Sequence, residues 1–228
     1  MFIWQVNSRP PDSVLLATLW PREGATRDWC AMFRNLKVPE PNKWITSSGM
    51  PFGEGRTQFA YTLLNEGIQW LFMLDSDVLV PPDTVLRLMN YRVPIISALY
   101  PQRYPTFDGT NAVYKPCMFS EGVDPQGNTQ LVPITNFQYG QVIEVAYAPG
   151  GAILIHRSVF ETMLQAGVKN FFEWTMHPIT NPNGRSEDFE FCRRARACGF
   201  KVMIDTGIQA AHEVLCQVSV GTGLVPRP

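Results

Sequence analysis

Asp75 and Asp77 stand one residue apart, directly after the apolar run "WLFML" and directly before "VLVPP". With nine Asp in the chain, a D-x-D triplet arises by chance in about one sequence in three of this composition, so its flanks decide its meaning. Asp is common at strand ends because its carboxylate bonds nearby backbone amides. Here both carboxylates fall at the carboxyl edge of an apolar strand, which is where open α/β sheets bind ligands. Two like charges so placed repel unless something positive lies beside them. A hard divalent ion, Mn2+ or Mg2+, takes oxygen ligands and keeps positions for a substrate's phosphate oxygens. His212 lies in "DTGIQAAHE", beyond the last apolar run. A lone His is more often a satisfied structural residue. Manganese nonetheless accepts imidazole beside carboxylates, so Asp77, His212 and a diphosphate form a coherent coordination set.

Glu187 and Asp188 open "SEDFEFC". Acids in the first turn of a helix complement its dipole for stability alone. Asp188 also follows the irregular "HPITNPNG", a stretch suited to a flap over a pocket, and is placed to take a proton from an attacking hydroxyl. Arg56 follows the glycine-rich "GMPFGEGR" at a helix start, either solvated or within reach of a phosphate or nucleobase. Trp20 either stacks on a base or packs beside Pro21. Gly150 and Gly151 permit a tight backbone path with room for a bound sugar.

These residues need a rigid frame, and the chain's periodicities supply one. "SVLLATL" at 13–19 reads as a strand buried on both faces, "WITSS" at 44–48 as a weaker strand, and "IQWLFML" at 68–74 as another. Between the last two, "RTQFAYTLLNEG" places apolar residues at helical spacing, with Gly67 as its stop. "PPDTVLRLMN" reads as a short helix and "VPIISAL" at 93–99 as a strand. Residues 100–151 break the rhythm, and "DPQGN" at 124–128 marks a hairpin. "GGAILIH" resumes as a strand, "SVFE" at 158–161 matches a capping box, "SEDFEFCRRARACG" forms a helix and "FKVMID" at 200–205 a final strand. Alternating strands and helices predict a mainly parallel sheet.

The 228 residues are expected to form a single domain over 1–220, followed by a Gly- and Pro-rich tail at 221–228 that reads as disordered or as an engineered scar. Net charge is −1 without a basic run, which removes the main reason to infer an obligatory nucleic-acid partner. No apolar run approaches the roughly 18–20 residues of a membrane span. "MFIWQVNSRPPD" lacks the pattern of a secretory signal. Five cysteines without a C-x-x-C pair indicate neither a disulfide framework nor a zinc knuckle. The expected location is a reducing cytoplasm.

Taken in order, "LFMLDSDVLVPPDTV", "APGGAILIHRSVFE" and "SEDFEFCRRARACGFKVMIDTGIQAAH" resemble the GT-A glycosyltransferases, particularly family 2-like and phage-encoded members, over roughly residues 13–213. The resemblance implies a GT-A (nucleotide-diphospho-sugar transferase) fold, a Rossmann-like, mainly parallel sheet flanked by helices with a small β-hairpin excursion. It implies a nucleotide-sugar-binding half at 13–99 and an acceptor-binding half at 100–213. The implied reaction is metal-dependent, inverting transfer of a sugar from a UDP- or GDP-sugar to an unspecified acceptor hydroxyl, in the host cytoplasm if phage-encoded. Asp75 is then expected at the ribose or a metal-bound water, Ser76 beside it, Asp77 on the Mn2+ or Mg2+ that bridges the diphosphate, and His212 at the third metal position. Asp188 matches the general base, with Glu187 beside it, and Gly150 and Gly151 face the acceptor. "ATLWPREGATRDW" departs from the family's Pro-x-Tyr-Asn opening, and "WITSSGMPF" lacks the family's aspartate. Arg56 and Thr18 therefore stand as candidate nucleobase contacts. The competing classes are a nucleotidyltransferase and a catalytically silent nucleotide- or sugar-binding module.

Overall fold

The computed structural model describes residues 12–20, 24–108, 111–125, 127, 129–177, 180–181, 184–214, 216–219 and 223–226. Parts of two expected segments, the "HPITNPNG" flap (178–179 and 182–183) and the tail (221–222 and 227–228), lie outside the described residues, as does the N-terminal stretch before Asp12.

A seven-stranded sheet forms the centre. β1 (Val14–Trp20) runs parallel to β2 (Asn42–Ser48) on one side and β3 (Trp70–Leu74) on the other. β5 (Ile95–Leu99) and β12 (Val202–Gln209) are parallel partners. Between β3 and β5 lies β11 (Ala152–His156), antiparallel to both, and β10 (Val142–Val145) closes the far edge antiparallel to β12. The order is β2-β1-β3-β11-β5-β12-β10, so the sheet is mainly parallel, as expected. The reversed sense of β11 matters for the site. It pairs Ala152 with Leu74 and thereby brings Gly150 and Gly151 beside the carboxyl end of β3.

Helices cover both faces. α2 (Phe52–Asn65), α4 (Arg157–Gln165) and α5 (Glu187–Ala197) contribute Phe59, Leu63, Phe160, Phe191 and Ala195 to one core with Leu71 and Met73 of β3. α1 (Arg27–Arg34) and α3 (Thr84–Asn90) contribute Trp29, Val85 and Leu88 to the other, with Trp70, Phe72 and Leu74. Every residue of β3 is buried, which is why this strand reads as an unbroken apolar run rather than an alternation. Each large side chain so buried contributes about 1.5–3 kcal/mol. Gly67 (φ 70°) and Gly167 (φ 85°) end α2 and α4 in the left-handed conformation that glycine adopts without a Cβ clash.

Smaller pairings decorate the sheet. β6 (Thr106–Asp108) pairs with β7 (Asn111–Val113), and β8 (Phe119–Val123) with β9 (Thr129–Pro133), the latter being the hairpin expected around "DPQGN". β4 (Val78–Leu79) pairs antiparallel with β13 (Ala211–His212). Within the tail expected to be unstructured, β15 (Gly223–Pro226) forms a ladder with β14 (Cys216–Ser219).

Two local expectations change. α1 is additional to the expected elements; Thr26 caps it by accepting from the Trp29 amide, and Trp29, 1 % exposed, anchors it to the sheet. The capping box at Ser158 is not formed. Arg157 already belongs to α4, His156 Nδ1 accepts from the Ser158 amide, and Glu161 instead accepts from Arg157 Nε at 2.7 Å.

Candidate functional site

The carboxyl end of β3 delivers two carboxylates into two different environments. The Asp75 amide donates to the Gly151 carbonyl at 2.9 Å, and Trp29 Nε1 donates to the Asp75 carbonyl at 2.9 Å, which fixes the backbone where the strand ends. Both oxygens of the Asp75 side chain lie 2.9 Å from Arg56 Nη2. Arg56 is only 4 % exposed. Its Nη1 donates to the Gly150 carbonyl at 2.6 Å, and its Nε lies 3.4 Å from Glu187 Oε1 without a hydrogen bond of its own. Arg56 was expected to reach a phosphate or nucleobase. It instead serves as the internal counterion of Asp75 and Glu187, because α2 packs its first turn against the sheet edge.

Burial, the largest influence, works to strip Arg56 of its proton, but Asp75, Glu187 and Asp188 outweigh it and raise the guanidinium pKa further. Burial likewise pushes the Asp75 and Glu187 carboxyls up, with Arg56 opposing. This network leaves no room for a side chain at Gly150 or Gly151. A Cβ on Gly150 would sit 2.5 Å from Arg56 Nη1, and one on Gly151 would sit 2.5 Å from the Tyr100 hydroxyl and 2.9 Å from Asp75 Oδ2. The Gly151 amide donates to the Tyr100 oxygen at 2.8 Å.

Asp188, half-buried at the start of α5, joins the same network from the other side. Its Oδ1 accepts from the Phe189 amide at 2.9 Å and from the Ser186 hydroxyl. Among the described residues, its Oδ2 accepts from the Gly150 amide alone, at 3.2 Å.

Asp77 faces away from this cluster toward the C-terminal segment. Strand pairing of β4 with β13 sets His212 opposite Val78, and the Glu213 amide donates to the Asp77 carbonyl at 2.7 Å. His212 Nε2 lies 3.3 Å from Asp77 Oδ2, and its Nδ1 lies 3.2 Å from the Pro101 carbonyl. A carbonyl only accepts, so Nδ1 carries a proton. Nε2 therefore faces a carboxylate and needs either a second proton or a cation between them. Burial works to raise Asp77, but the His212 hydrogen bond, the His212 charge and Arg103 hold it below the usual carboxylate range. His212 responds in the opposite sense: burial works to lower it, and Asp77 outweighs that and raises it.

The geometry revises the expected ligand set. Among the described residues no three His, Cys, Asp or Glu side chains gather as a metal-binding group. Asp75 stands apart from the Asp77–His212 pair, with both its oxygens facing Arg56 Nη2. Asp77 and His212 remain, and they fit a hard divalent ion. Neighbouring ligands at about 2.1 Å from an octahedral ion are about 3 Å apart, and Pro101 supplies the outer hydrogen bond typical of a metal-binding imidazole. Ser76 sits half-buried in the turn between the two aspartates. Thr18 is fully buried and accepts from Trp44 Nε1 at 3.3 Å, so it lies behind an aromatic group rather than at a nucleotide. Trp20 packs edge-on against Trp29 and Trp44. Burial pushes the Cys117 and Cys192 thiols up to about 12, which removes them as nucleophiles at neutral pH.

Solved structures share this architecture. The chain superposes on the crystal structure of A197 from STIV with a TM-score of 0.52 and 14 % identity, covering 94 % of both chains. It superposes on GalNAc-T7, solved with UDP, GalNAc and Mn2+, with a TM-score of 0.54 and 13 % identity, covering 88 % of this chain and 42 % of that one. The fold is GT-A-like. At such identities the likeness carries the fold alone. No protein-family model matches the chain, and no curated protein matches it in sequence. Among the described residues, no helix of this GT-A-like chain is long and apolar enough to cross a membrane.

Sequence reasoning missed Tyr100, Arg103 and Glu213. Tyr100 and Arg103 follow the carboxyl end of β5, and Glu213 follows His212. Like the end of β3, "SALYPQR" places polar residues directly after a buried parallel strand.

Proposed function

We propose that the chain transfers a sugar, with inversion, from a UDP- or GDP-sugar to an acceptor hydroxyl, assisted by Mn2+ or Mg2+. The observation that carries this reading is Asp77 Oδ2 set 3.3 Å from His212 Nε2 at the carboxyl edge of a central strand in a GT-A-like fold. Asp77 and His212 would hold the ion, with Pro101 fixing the imidazole's tautomer. Once bound, the ion supplies positive charge against the departing diphosphate. Residues 13–99 would hold the donor and 100–213 the acceptor.

The chain's own groups divide the remaining work. Arg56 ties the Asp75 carboxylate to the Gly150 carbonyl, and Gly150 in turn donates to Asp188. The donor and acceptor sides are thereby held in one register. Asp188 Oδ2, with a single long donor, is the oxygen available to receive the acceptor's proton.

Titration calorimetry with UDP and GDP, with and without Mn2+, followed by a screen of nucleotide sugars for Mn2+-dependent hydrolysis, tests the reading. The expected result is Mn2+-dependent nucleotide binding together with slow donor hydrolysis. Absence of binding in every combination would sink it. The silent binding module is favoured by one observation, the neutralisation of Asp75 by Arg56, and predicts binding without turnover.

A further inference from the structure

Arg103 has no part in the chemistry above, yet its guanidinium reaches the same carboxylate. Its Nη2 lies 3.7 Å from Asp77 Oδ2, and its side chain is 47 % exposed. The backbone just before it is pinned. The Pro101 carbonyl faces His212 Nδ1, the Gln102 amide donates to the Lys115 carbonyl at 2.8 Å, and Gln102 Nε2 donates to the Pro116 carbonyl at 3.2 Å. A fixed backbone thus carries a half-exposed cation to the rim of the Asp77–His212 pair.

We propose that Arg103 is a diphosphate-binding residue of this site. The inference rests on the donor reading above and extends it to a residue outside the ligand pair. The contact to Asp77 is longer than a hydrogen bond and half open to water, so releasing it costs little. With a divalent ion held by Asp77 and His212, the guanidinium would be repelled from the carboxylate. That ion, set against one carboxylate, leaves less positive charge than the phosphates of a nucleoside diphosphate require. Among the described residues, Arg103 is the exposed cation that the structure sets beside Asp77, whereas Arg56 is buried against Asp75. The planar fork of arginine matches phosphate oxygens in pairs, so the contact is selective for phosphate over the sugar or base.

Calorimetry on the full chain tests the assignment with UDP, uridine and inorganic pyrophosphate in the presence of Mn2+, and with Mn2+ alone. For Arg103→Ala, UDP and pyrophosphate affinity are expected to fall about ten- to a hundredfold, the range of one charge-assisted hydrogen-bonding group. Uridine affinity should not change, and Mn2+ alone should bind as well as in the wild type or better. Arg103→Lys is expected to recover part of the loss. UDP affinity within twofold of wild type in Arg103→Ala overturns the assignment, as does a loss of Mn2+ affinity, which would make Arg103 a support of the ligand pair. Pyrophosphate binding that depends on Arg103 in a chain that hydrolyses no nucleotide sugar upholds the assignment while the transfer reading falls. A wild-type chain that binds neither UDP nor pyrophosphate removes both.

Discussion

The two oxygens of Asp188 are not equivalent, because among the described residues Oδ1 is held by Ser186 and Phe189 while Oδ2 has only the distant Gly150 amide. Removing this carboxylate leaves Asp77 and His212 untouched. Asp188→Ala is therefore expected to lower transfer by about 10²–10⁴-fold, with Mn2+-dependent UDP affinity near wild type by calorimetry. Full activity in that variant would exclude Asp188 as the base. Asp77 and His212 make a separate prediction through pH. His212 is raised from its ordinary value, so its stabilisation is complete in acid and fades as pH rises through the folded value. Asp77 is lowered, so its stabilisation is present above the ordinary carboxylate range and fades as pH falls through the folded value. Together they support the metal-free fold most between about pH 4 and 6.5. Thermal midpoints of wild type and His212→Gln should differ most in that window and converge as pH rises through the raised value of His212. Binding of Mn2+ should follow the opposite trend and strengthen as pH rises, since the proton on Nε2 competes with it.

At the scale of the element, the site depends on three contacts: the first turn of α2, the approach to β11 and the start of α1. Arg56→Met leaves the buried Glu187 and the partly buried Asp75 without their cation. Chemical denaturation should show a loss of about 3–5 kcal/mol. Gly151→Ala places a methyl group against Tyr100 and Asp75 and should cost about 1–3 kcal/mol by the same measurement. Thr26 both caps α1 and donates its hydroxyl to Glu213, at 2.9 Å to Oε1 and 2.8 Å to Oε2. Glu213 is the residue whose amide holds the Asp77 carbonyl. Thr26→Ala is thus expected to cost about 1 kcal/mol in stability and also to weaken Mn2+ binding through the loosened His212 segment. Unchanged Mn2+ affinity in that variant would show that β13 holds its position without the Glu213 contact.

At the scale of the whole molecule, ligand binding and folding are linked. With Mn2+ present and UDP at about a hundredfold excess over its Kd, unfolding should become harder by about 2.7 kcal/mol, and the increment should vanish in Asp77→Ala. Six strands of the central sheet, the β8–β9 hairpin, most helices and the α/β class were legible in the sequence, because buried strands read as continuous apolar runs and helix ends are marked by glycine, whereas the short β4, β6, β7, β10 and β13 were not. α1 escaped because eight residues with one buried anchor carry little local signal, and its stability comes from Trp29 seated against the sheet. The candidate residues were also legible as types in positions, and so was the pairing of Asp77 with His212, but the partners of Asp75, Asp188 and Thr18 were not. Adjacent residues determine runs, periods and turns, and on these the chain by itself established a layered fold with acids at a strand's end. Only the tertiary structure decided that Asp75 meets Arg56, that Thr18 lies behind Trp44, that Asp188 meets the Gly150 amide, and that Gly150 and Gly151 have protein groups within reach of a Cβ. The physical reason is that these contacts join residues far apart in sequence. They exist only because β11 runs backwards between β3 and β5 and because β13 returns to pair with β4.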